Sequence, residues 1–212
     1  MTDGTNNQKP TTNNRLRLHI GCGPIRMDGW INIDVAPYEG VDRVLDVTEG
    51  LPFEDASFVY AEHFIEHLPY PAALAFMREC RRALGDDGVL RLSTPNLDWV
   101  WASHYKKVLT KEEEVLACFA INRAFHGWGH QFLWNEGTLR ASLLDAGFAS
   151  VVRREYGVSE HPELHGIERH EWQADFEGLS HILIVEASGR GGEPPTFLEE
   201  PREMFLRDVA AK

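Results

Sequence analysis

The sequence is poor in cysteine and in positive charge. Its three cysteines, Cys22, Cys80 and Cys118, are odd in number and far apart, so neither a disulfide framework nor a zinc ribbon is expected. Lysine and arginine number 21 against 33 aspartate and glutamate residues, which gives a net charge of −12. Such a balance repels a phosphate backbone, and nucleic acid is therefore not expected as a partner.

Long apolar runs are also missing. No stretch approaches the roughly 20 apolar residues of a membrane-spanning helix, and the opening stretch MTDGTNNQKPTTNNR lacks the apolar core of a signal peptide. A membrane is not expected as a partner, and the protein is expected to be cytoplasmic. A chain of 212 residues, 43% of them hydrophobic, is sufficient for one well-buried domain.

The first half of the chain contains a series of short strand patterns. Alternation in RLRLHIGCG puts Leu16, Leu18 and Ile20 on one face of a strand that runs into a glycine turn. Further strand patterns cover residues 30–35, 41–47, 57–62 and 88–95. Strands separated by helix or turn segments indicate a parallel sheet in an α/β fold.

Helix patterns are found in the middle and in the back half of the chain. Between Tyr70 and Leu84, apolar residues recur at three and four positions, which predicts a helix that Gly85 ends. Thr110 begins a capping box that predicts a second helix. A third is predicted from an N-cap at Asn135 to a stop at Gly147. FASVVRREY and SHILIVEAS are two late strands, expected to add an antiparallel edge to the sheet.

Composition also divides the chain into regions. Residues 1–14 are polar and are predicted to form a flexible tail. Residues 15–188 are predicted to form the domain. Residues 189–212 begin with GRGGEPPT, which has the composition of a linker, and end in a segment that is either a short docking helix or a tail.

A pair of glycines follows the first strand directly. At Gly21 and Gly23 the backbone can approach a ligand closely. The dinucleotide-binding fingerprint is nevertheless incomplete, because Arg26 stands in place of its third glycine and Asp34 follows Gly21 by 13 residues instead of about 20. This spacing leaves little room for a helix, so a nicotinamide-dependent oxidoreductase is kept only as an alternative.

An ordered set of segments between Leu16 and Phe148 resembles the class I S-adenosylmethionine-dependent methyltransferases, and within them a small bacterial branch with a shortened first helix. The segments are LHIGCGP, GWINIDV, LDVTEGLPFEDASFVYAEHFIEHL, ALGDDGVLRLSTPN and LLDAGF. The resemblance implies a Rossmann-like methyltransferase fold, with a mostly parallel sheet of about seven strands, an antiparallel edge strand and helices on both faces.

The resemblance also implies a reaction. The expected cofactor is S-adenosyl-L-methionine, and its methyl group would go to an oxygen or nitrogen nucleophile of a small-molecule acceptor such as a sugar, a natural product or another metabolite. A non-catalytic S-adenosylmethionine-binding module with the same fold is a further alternative, since a fold does not supply chemistry by itself. Whether the protein forms a homodimer is left open.

Carried over position by position, the resemblance places the cofactor at the ends of the first four strands. The glycine loop would lie beside its methionine part, Asp34 would accept hydrogen bonds from the ribose hydroxyls, and Asp46 with Val47 would meet the adenine. His19 departs from the family pattern, in which many members carry an acidic residue, and this leaves the contact to the methionine amino group open. The predicted cofactor-binding residues are Gly21, Cys22, Gly23, Pro24, Asp34, Val35, Asp46, Val47, Glu62, His63 and His67.

The stretch from His63 to His67 spells H-x-x-E-H, the inverted zinc-protease pattern. Such a site needs both histidines on one face of a helix. His63 follows a strand immediately, and Pro69 limits any helix around His67. A metal site is therefore not expected.

A second histidine cluster lies in FHGWGHQFLW, within residues 102–134, the predicted substrate-recognition segment. Its glycines allow a mobile loop and its tryptophans offer flat apolar walls, although packing is the alternative role for these side chains. Removing a proton from an acceptor requires a base, and the candidates are His63, His126 and His130. His161, His165 and His170 are spaced irregularly and are interpreted as part of a solvated loop.

Overall fold

A computed structural model of the chain describes residues 15–106, 108–170 and 173–210, and the predicted tail at residues 1–14 lies outside these ranges. The strands are β1 (Arg17–Ile20), β2 (Ile31–Asp34), β3 (Arg43–Val44), β4 (Ala56–Glu62), β5 (Leu84–Pro95), β6 (Ser150–Arg154) and β7 (Ile182–Ser188). The helices are α1 (Tyr70–Ala83), α2 (Leu97–Tyr105), α3 (Lys111–His126), α4 (Glu136–Asp145) and α5 (Glu199–Ala210).

One seven-stranded sheet has the order β3-β2-β1-β4-β5-β7-β6. The strands β1 to β5 all pair in parallel with one another, and β7 runs antiparallel to both β5 and β6. The predicted fold class is confirmed. The reversed strand β7 lies one place in from the edge, because β6 pairs on its outer side.

The two faces of the sheet are covered differently. The main core packs one face, with Leu18 and Ile20 of β1, against α1 and α4. A second, smaller cluster covers the other face, and no helix joins β1 to β2 because residues 21–30 form only turns. The resemblance implied a shortened first helix, and the structure has no helix at this place. The second cluster consists of Met27, Trp30, Tyr60, Val89 and Leu164.

The predicted helix caps are present. The Thr110 side chain accepts a hydrogen bond from the Glu113 amide while Glu113 bonds back, which completes the capping box of α3. At α4, Asn135 accepts a hydrogen bond from the Thr138 amide, and Gly147 past its end has a φ of +95°. Helix α2 was not predicted from the sequence. Asn96 at its start is nevertheless an ordinary N-cap residue, and its side chain accepts a hydrogen bond from the Asp98 amide.

The predicted stop of α1 at Gly85 is wrong. Helix α1 ends at Ala83, Leu84 is already extended, and Gly85 is part of β5. A Cβ atom at Gly85 would lie 2.6 Å from Oδ1 of Asp55. The Asp55 side chain is 63% exposed and can move aside, so this contact does not by itself require a glycine, and the extended backbone excludes a left-handed helix end.

The C-terminal segment is a docking helix. Leu198 is buried just before α5, and the ring of Phe205 lies 5.4 Å from the ring of Phe132. Arg202 pairs with Asp145 at the end of α4, at 3.2 Å. The predicted domain boundary at residue 188, between the domain and the C-terminal segment, stays a prediction. Across the described ranges, no helix has both the length and the apolar character needed to cross a bilayer.

Candidate active site

The predicted site lies where the strand order reverses. The neighbouring strands β1 and β4 end side by side, with Ile20 paired to Ala61, while β2 and β5 continue the sheet in opposite directions. Ligands of open α/β sheets bind at such a point, outside the carboxyl ends of the strands. Gly21 and Glu62 are the first residues to reach this edge.

The glycine loop is shaped by two left-handed residues. Gly21 has a φ of +64° and Gly23 a φ of +53°, values that favour glycine. A Cβ atom at Gly21 would lie 2.6 Å from the ring of Phe64, whereas one at Gly23 would meet nothing within 4 Å. The loop is therefore closed against the protein at Gly21 and open towards a ligand at Gly23.

Asp34 ties this loop to the end of β2. Its Oδ2 accepts a hydrogen bond from the Gly23 amide at 2.8 Å, and its Oδ1 accepts one from the Ala36 amide at 2.9 Å. A carboxylate has about four acceptor positions, so Asp34 can also accept hydrogen bonds from hydroxyl groups of a ligand. The neighbouring Val35 side chain is exposed.

Cys22 is buried between these glycines. Burial, followed by the charge of Asp34, raises the pKa of its thiol to about 11. The thiol is therefore neutral near pH 7 and is not a nucleophile. Cys22 serves the loop through its backbone, which donates a hydrogen bond to Ile33 of β2 at 3.1 Å.

Asp46 forms a turn after the short strand β3. Its Oδ1 accepts hydrogen bonds from the Thr48 hydroxyl at 2.6 Å and from the Thr48 amide at 2.9 Å, and these bonds lower the pKa of Asp46. Its carboxylate is exposed, while Val47 beside it is buried in the main core. The strand predicted over residues 41–47 has only two residues in strand pairing, because Asp46 draws the backbone into this turn.

Glu62 is the last residue of β4, and its side chain is 7% exposed. Burial alone would raise the pKa of Glu62, but hydrogen bonds from the His170 ring and from the Arg169 and His170 amides lower it to about 2. The two amides lie 2.9 and 3.1 Å from Oε1. The ionised carboxylate thus holds the stretch around residue 170 against the end of β4.

His63 has a left-handed backbone, with a φ of +46°, which is uncommon for a residue other than glycine and concentrates at functional sites. Its ring stacks on the ring of His170 with 3.8 Å between centroids. His170 lies in an irregular segment and its side chain is 52% exposed, so the interpretation as part of a solvated loop fits, but the ring also contacts His63. The spacing of the sequence gives no sign of this contact, because it joins residues far apart in the chain.

A buried carboxylate lies beside the ring of His63. Nδ1 of His63 lies 3.1 Å from Oε1 of Glu66, and Oε2 of Glu66 accepts a hydrogen bond from Thr94 at 3.0 Å. Oε1 of Glu66 accepts no hydrogen bond in the described part of the chain, so its contact with His63 is a close approach of the two groups and not a hydrogen bond. Nε2 of His63 is buried and has no hydrogen-bond partner in the described part of the chain.

A cavity of about 660 Å³ adjoins His63 at the ends of β4 and β5. Parts of the segment 102–134 line it, among them Ala120 and Trp128. Trp99 and Pro95 contribute apolar surface on the side of α2. Among the described residues, six histidines line this cavity: His63, His67, His104, His130, His170 and His181.

The two histidines of FHGWGHQFLW lie in different places. His126 is exposed at the end of α3 and is not part of the cavity lining described above. His130 lines the cavity, and its Nδ1 lies 2.7 Å from the carbonyl oxygen of Ala124. Because a carbonyl can only accept, Nδ1 carries the proton and Nε2 of His130 is free to act as a base or a ligand. His67 lies beside it, with ring centroids 5.1 Å apart.

His19 faces away from the glycine loop. Its Nδ1 lies 3.0 Å from Oδ1 of Asn32, and its ring stacks on Tyr60 of the second core cluster at 5.5 Å. Burial lowers the pKa of His19. This side chain is part of the core packing and does not take the place of the family's acidic residue.

This arrangement was compared with known proteins. A family model described as "Methyltransferase domain" matches residues 13–152 of the chain. The chain belongs to the class I methyltransferases. The predicted family is confirmed, and the match removes the reason for the nicotinamide-dependent alternative. No curated protein matches the sequence of this methyltransferase.

Solved structures agree with the fold of this methyltransferase. A possible exported protein from Bordetella parapertussis aligns at 13% identity with a TM-score of 0.53, over 84% of this chain and 63% of its own. A possible histamine N-methyltransferase from Thermotoga maritima aligns at 16% identity with a TM-score of 0.51, over 84% and 83%. The methyltransferase SibL aligns at 12% identity with a TM-score of 0.51, over 84% and 51%.

The chain spans between about half and two thirds of the Bordetella protein and of SibL. At these identities the alignments carry the fold alone. The roles of the individual site residues remain predictions.

Proposed function

We propose that this methyltransferase transfers the methyl group of S-adenosyl-L-methionine to an oxygen or nitrogen of a small molecule held in the histidine-lined cavity. The proposal rests on the position of His63. His63 directly follows the end of β4, where the cofactor is predicted to bind, and it also lines the cavity. A donor on the glycine loop and an acceptor in the cavity would therefore meet at this residue.

The residues of the loop fit the cofactor. The open side of Gly23 provides space, the Asp34 carboxylate provides acceptors for the ribose hydroxyls, and the Asp46 turn lies next along the same edge. When bound, S-adenosyl-L-methionine supplies an activated methyl group. The protein then has to hold the two reactants in line and exclude water. The stacked ring of His170 covers part of His63, whose side chain is 14% exposed.

His63 is the base that this geometry favours over His126 and His130. Its Nε2 has no hydrogen-bond partner among the described residues, and its Nδ1 lies 3.1 Å from the carboxylate of Glu66. A base with a carboxylate beside it is a recurring way to activate a hydroxyl or amine. In this role, Nε2 takes the proton of the acceptor, and Glu66 stabilises the resulting positive charge on the ring.

The cavity indicates the class of acceptor. Trp99 and Trp128 provide flat surfaces, and the histidine nitrogens provide donors and acceptors for hydroxyl groups. Such a lining suits a sugar or an aromatic metabolite. We accordingly propose residues 15–188 as the methyltransferase domain and residues 102–134 as its acceptor-recognition segment.

Isothermal titration calorimetry with S-adenosyl-L-methionine tests the cofactor directly. We expect one site per chain, and no heat with NADH. Absence of binding at millimolar cofactor, in protein shown to be folded by circular dichroism, would remove the proposal. Conversion to S-adenosylhomocysteine in the presence of an acceptor pool then separates an enzyme from a non-catalytic binding module.

His63→Gln tests the base. We expect turnover to fall by about 10²–10⁴-fold, the usual contribution of a general base, with little change in the affinity for the cofactor. His126→Ala is the matched control, because its ring is exposed outside the cavity, and it should keep nearly full turnover. Equal turnover of His63→Gln and the wild type would remove His63 from the reaction.

A further inference from the structure

Three possible metal-ligating side chains converge at one end of the cavity. Ligand atoms of Glu66, His67 and His130 all lie within 4.8 Å of one another. We propose that these residues bind a Zn²⁺ ion, which the sequence did not lead us to expect. Two histidines and one glutamate form a known zinc ligand set that leaves a fourth position for water or a substrate oxygen.

Glu66 provides the strongest reason. Its side chain is fully buried, and Oε1 has no hydrogen-bond partner in the described part of the chain, although Nδ1 of His63 lies 3.1 Å from it. A buried carboxylate is costly unless a positive charge or hydrogen bonds compensate it. A cation at this position would supply the missing compensation, and the hydrogen bond from Thr94 to Oε2 would orient the ligand.

His130 has the orientation of a metal ligand. Its Nδ1–H donates to the carbonyl oxygen of Ala124 at 2.7 Å, and ligating histidines almost always make such a bond with the nitrogen that does not bind the metal. The other nitrogen is left with its lone pair. The ring of His67 makes no hydrogen bond within the described ranges, although its backbone carbonyl accepts one from Gln131.

The backbone holds the two sources of ligands together. The amides of Gln131 and Phe132 both donate to the carbonyl oxygen of Glu66, at 2.7 and 3.2 Å. His130 is therefore fixed next to Glu66 and His67, although more than sixty residues separate them in the sequence. Tetrahedral ligands of Zn²⁺ lie about 3.3 Å apart, so the side chains would have to move inward by about 1 Å, which rotation of the two imidazole rings can provide.

This ligand set differs from the one that the H-x-x-E-H spelling suggests. His63 is outside it, because a short 3-10 helix covers only Ile65–His67 and no helix carries both histidines of the motif. The missing second histidine comes instead from across the cavity. The pattern of a zinc protease is therefore not met, while two of its residues join a different site.

Cobalt provides a visible probe of this site, and the full chain should be freed of metal with EDTA before titration with Co²⁺. We expect one Co²⁺ per chain, the absorption bands of a tetrahedral or five-coordinate ion, and their loss when Zn²⁺ is added, since Zn²⁺ shares this ligand preference. The assay contains no cofactor and no acceptor. A failure of the methyl-transfer proposal would therefore not affect it.

The variants decide the ligand set. His130→Ala and His67→Ala should each weaken Co²⁺ binding at least tenfold, and both replace partly exposed rings, so the fold should tolerate them. His126→Ala and His165→Ala, two exposed histidines elsewhere, should bind like the wild type. Weak binding of several ions per chain, or equal binding by His130→Ala and the wild type, would overturn the site.

Discussion

Asp34→Ala is expected to weaken the binding of S-adenosyl-L-methionine by about 100-fold or more. The wild-type carboxylate would accept hydrogen bonds from the ribose hydroxyls, and each such charged hydrogen bond contributes about 1.5–3 kcal/mol, so that two correspond to at least two decades in Kd. The substitution also releases the amides of Gly23 and Ala36, which the carboxylate now holds at 2.8 and 2.9 Å.

Calorimetric titration measures this loss, and two variants bracket it. Asp34→Asn keeps the shape and one acceptor oxygen and should fall between the wild type and Asp34→Ala. His126→Ala should bind the cofactor within about twofold of the wild type, a difference of less than about 0.5 kcal/mol. If Asp34→Ala and His126→Ala weaken binding equally, the role given to Asp34 is wrong.

Arg91→Leu is expected to lower the free energy of unfolding by about 3–5 kcal/mol, the usual effect of removing one partner from a buried ion pair. Arg91 of β5 has no exposed surface, and its guanidinium lies 2.6 Å from Glu168 and 2.7 Å from Glu186. The substitution leaves these carboxylates buried without their shared cation. Urea denaturation at pH 7 measures the change, provided that the m-value stays constant.

Arg78→Leu is the matched control for this experiment. Arg78 also pairs with a carboxylate, Asp145 at 2.9 Å, but its side chain is 55% exposed. Exposed ion pairs contribute about 0–1 kcal/mol, so this variant should stay close to the wild type. A similar loss in both variants would show that burial of Arg91 has no special effect.

The same network connects stability to the site. Glu168 accepts hydrogen bonds from Arg91 and from the Gly157 amide, and it directly precedes the residues that bond to Glu62. Loss of Arg91 should therefore loosen the stretch that carries His170 over His63. The position of His170 over His63, and with it the proposed methyl transfer, is therefore expected to depend on the buried charge of Arg91 in β5.

Local signals in the sequence were sufficient for most of the sheet, for the glycine turn and for the helix caps. The glycine pair, Asp34 and the alternation of the strands each depend on neighbours within a few residues, and the caps at Thr110 and Asn135 depend on hydrogen bonds that span three residues. In the structure, the glycine turn and the two helix caps lie where the sequence predicted them. The family resemblance added the order of the segments, which no single motif carries.

Contacts between distant residues could not be predicted in this way. The stacking of His63 on His170 and the approach of His130 to Glu66 each require the chain to fold back across the sheet. Spacing in one sequence contains no direct record of such pairs.

Backbone hydrogen bonds around Glu66 hold one part of the cavity in place, while helix α3 forms another part of the lining. Glu66 holds Gln131 and Phe132, and the amide of Leu97 donates to the carbonyl oxygen of Trp134 at 2.9 Å. The two ends of the segment that contains α2 and α3 are therefore bonded to each other and to Glu66, while Leu116 and Phe119 on α3 are exposed. Under the proposed function, substitutions at the cavity-lining residues Ala120 and Arg123 of α3 are expected to change which acceptors enter, without altering His63 and His67. Within this family, acceptor range could thus diverge while the methyl-donor end of the site stays the same.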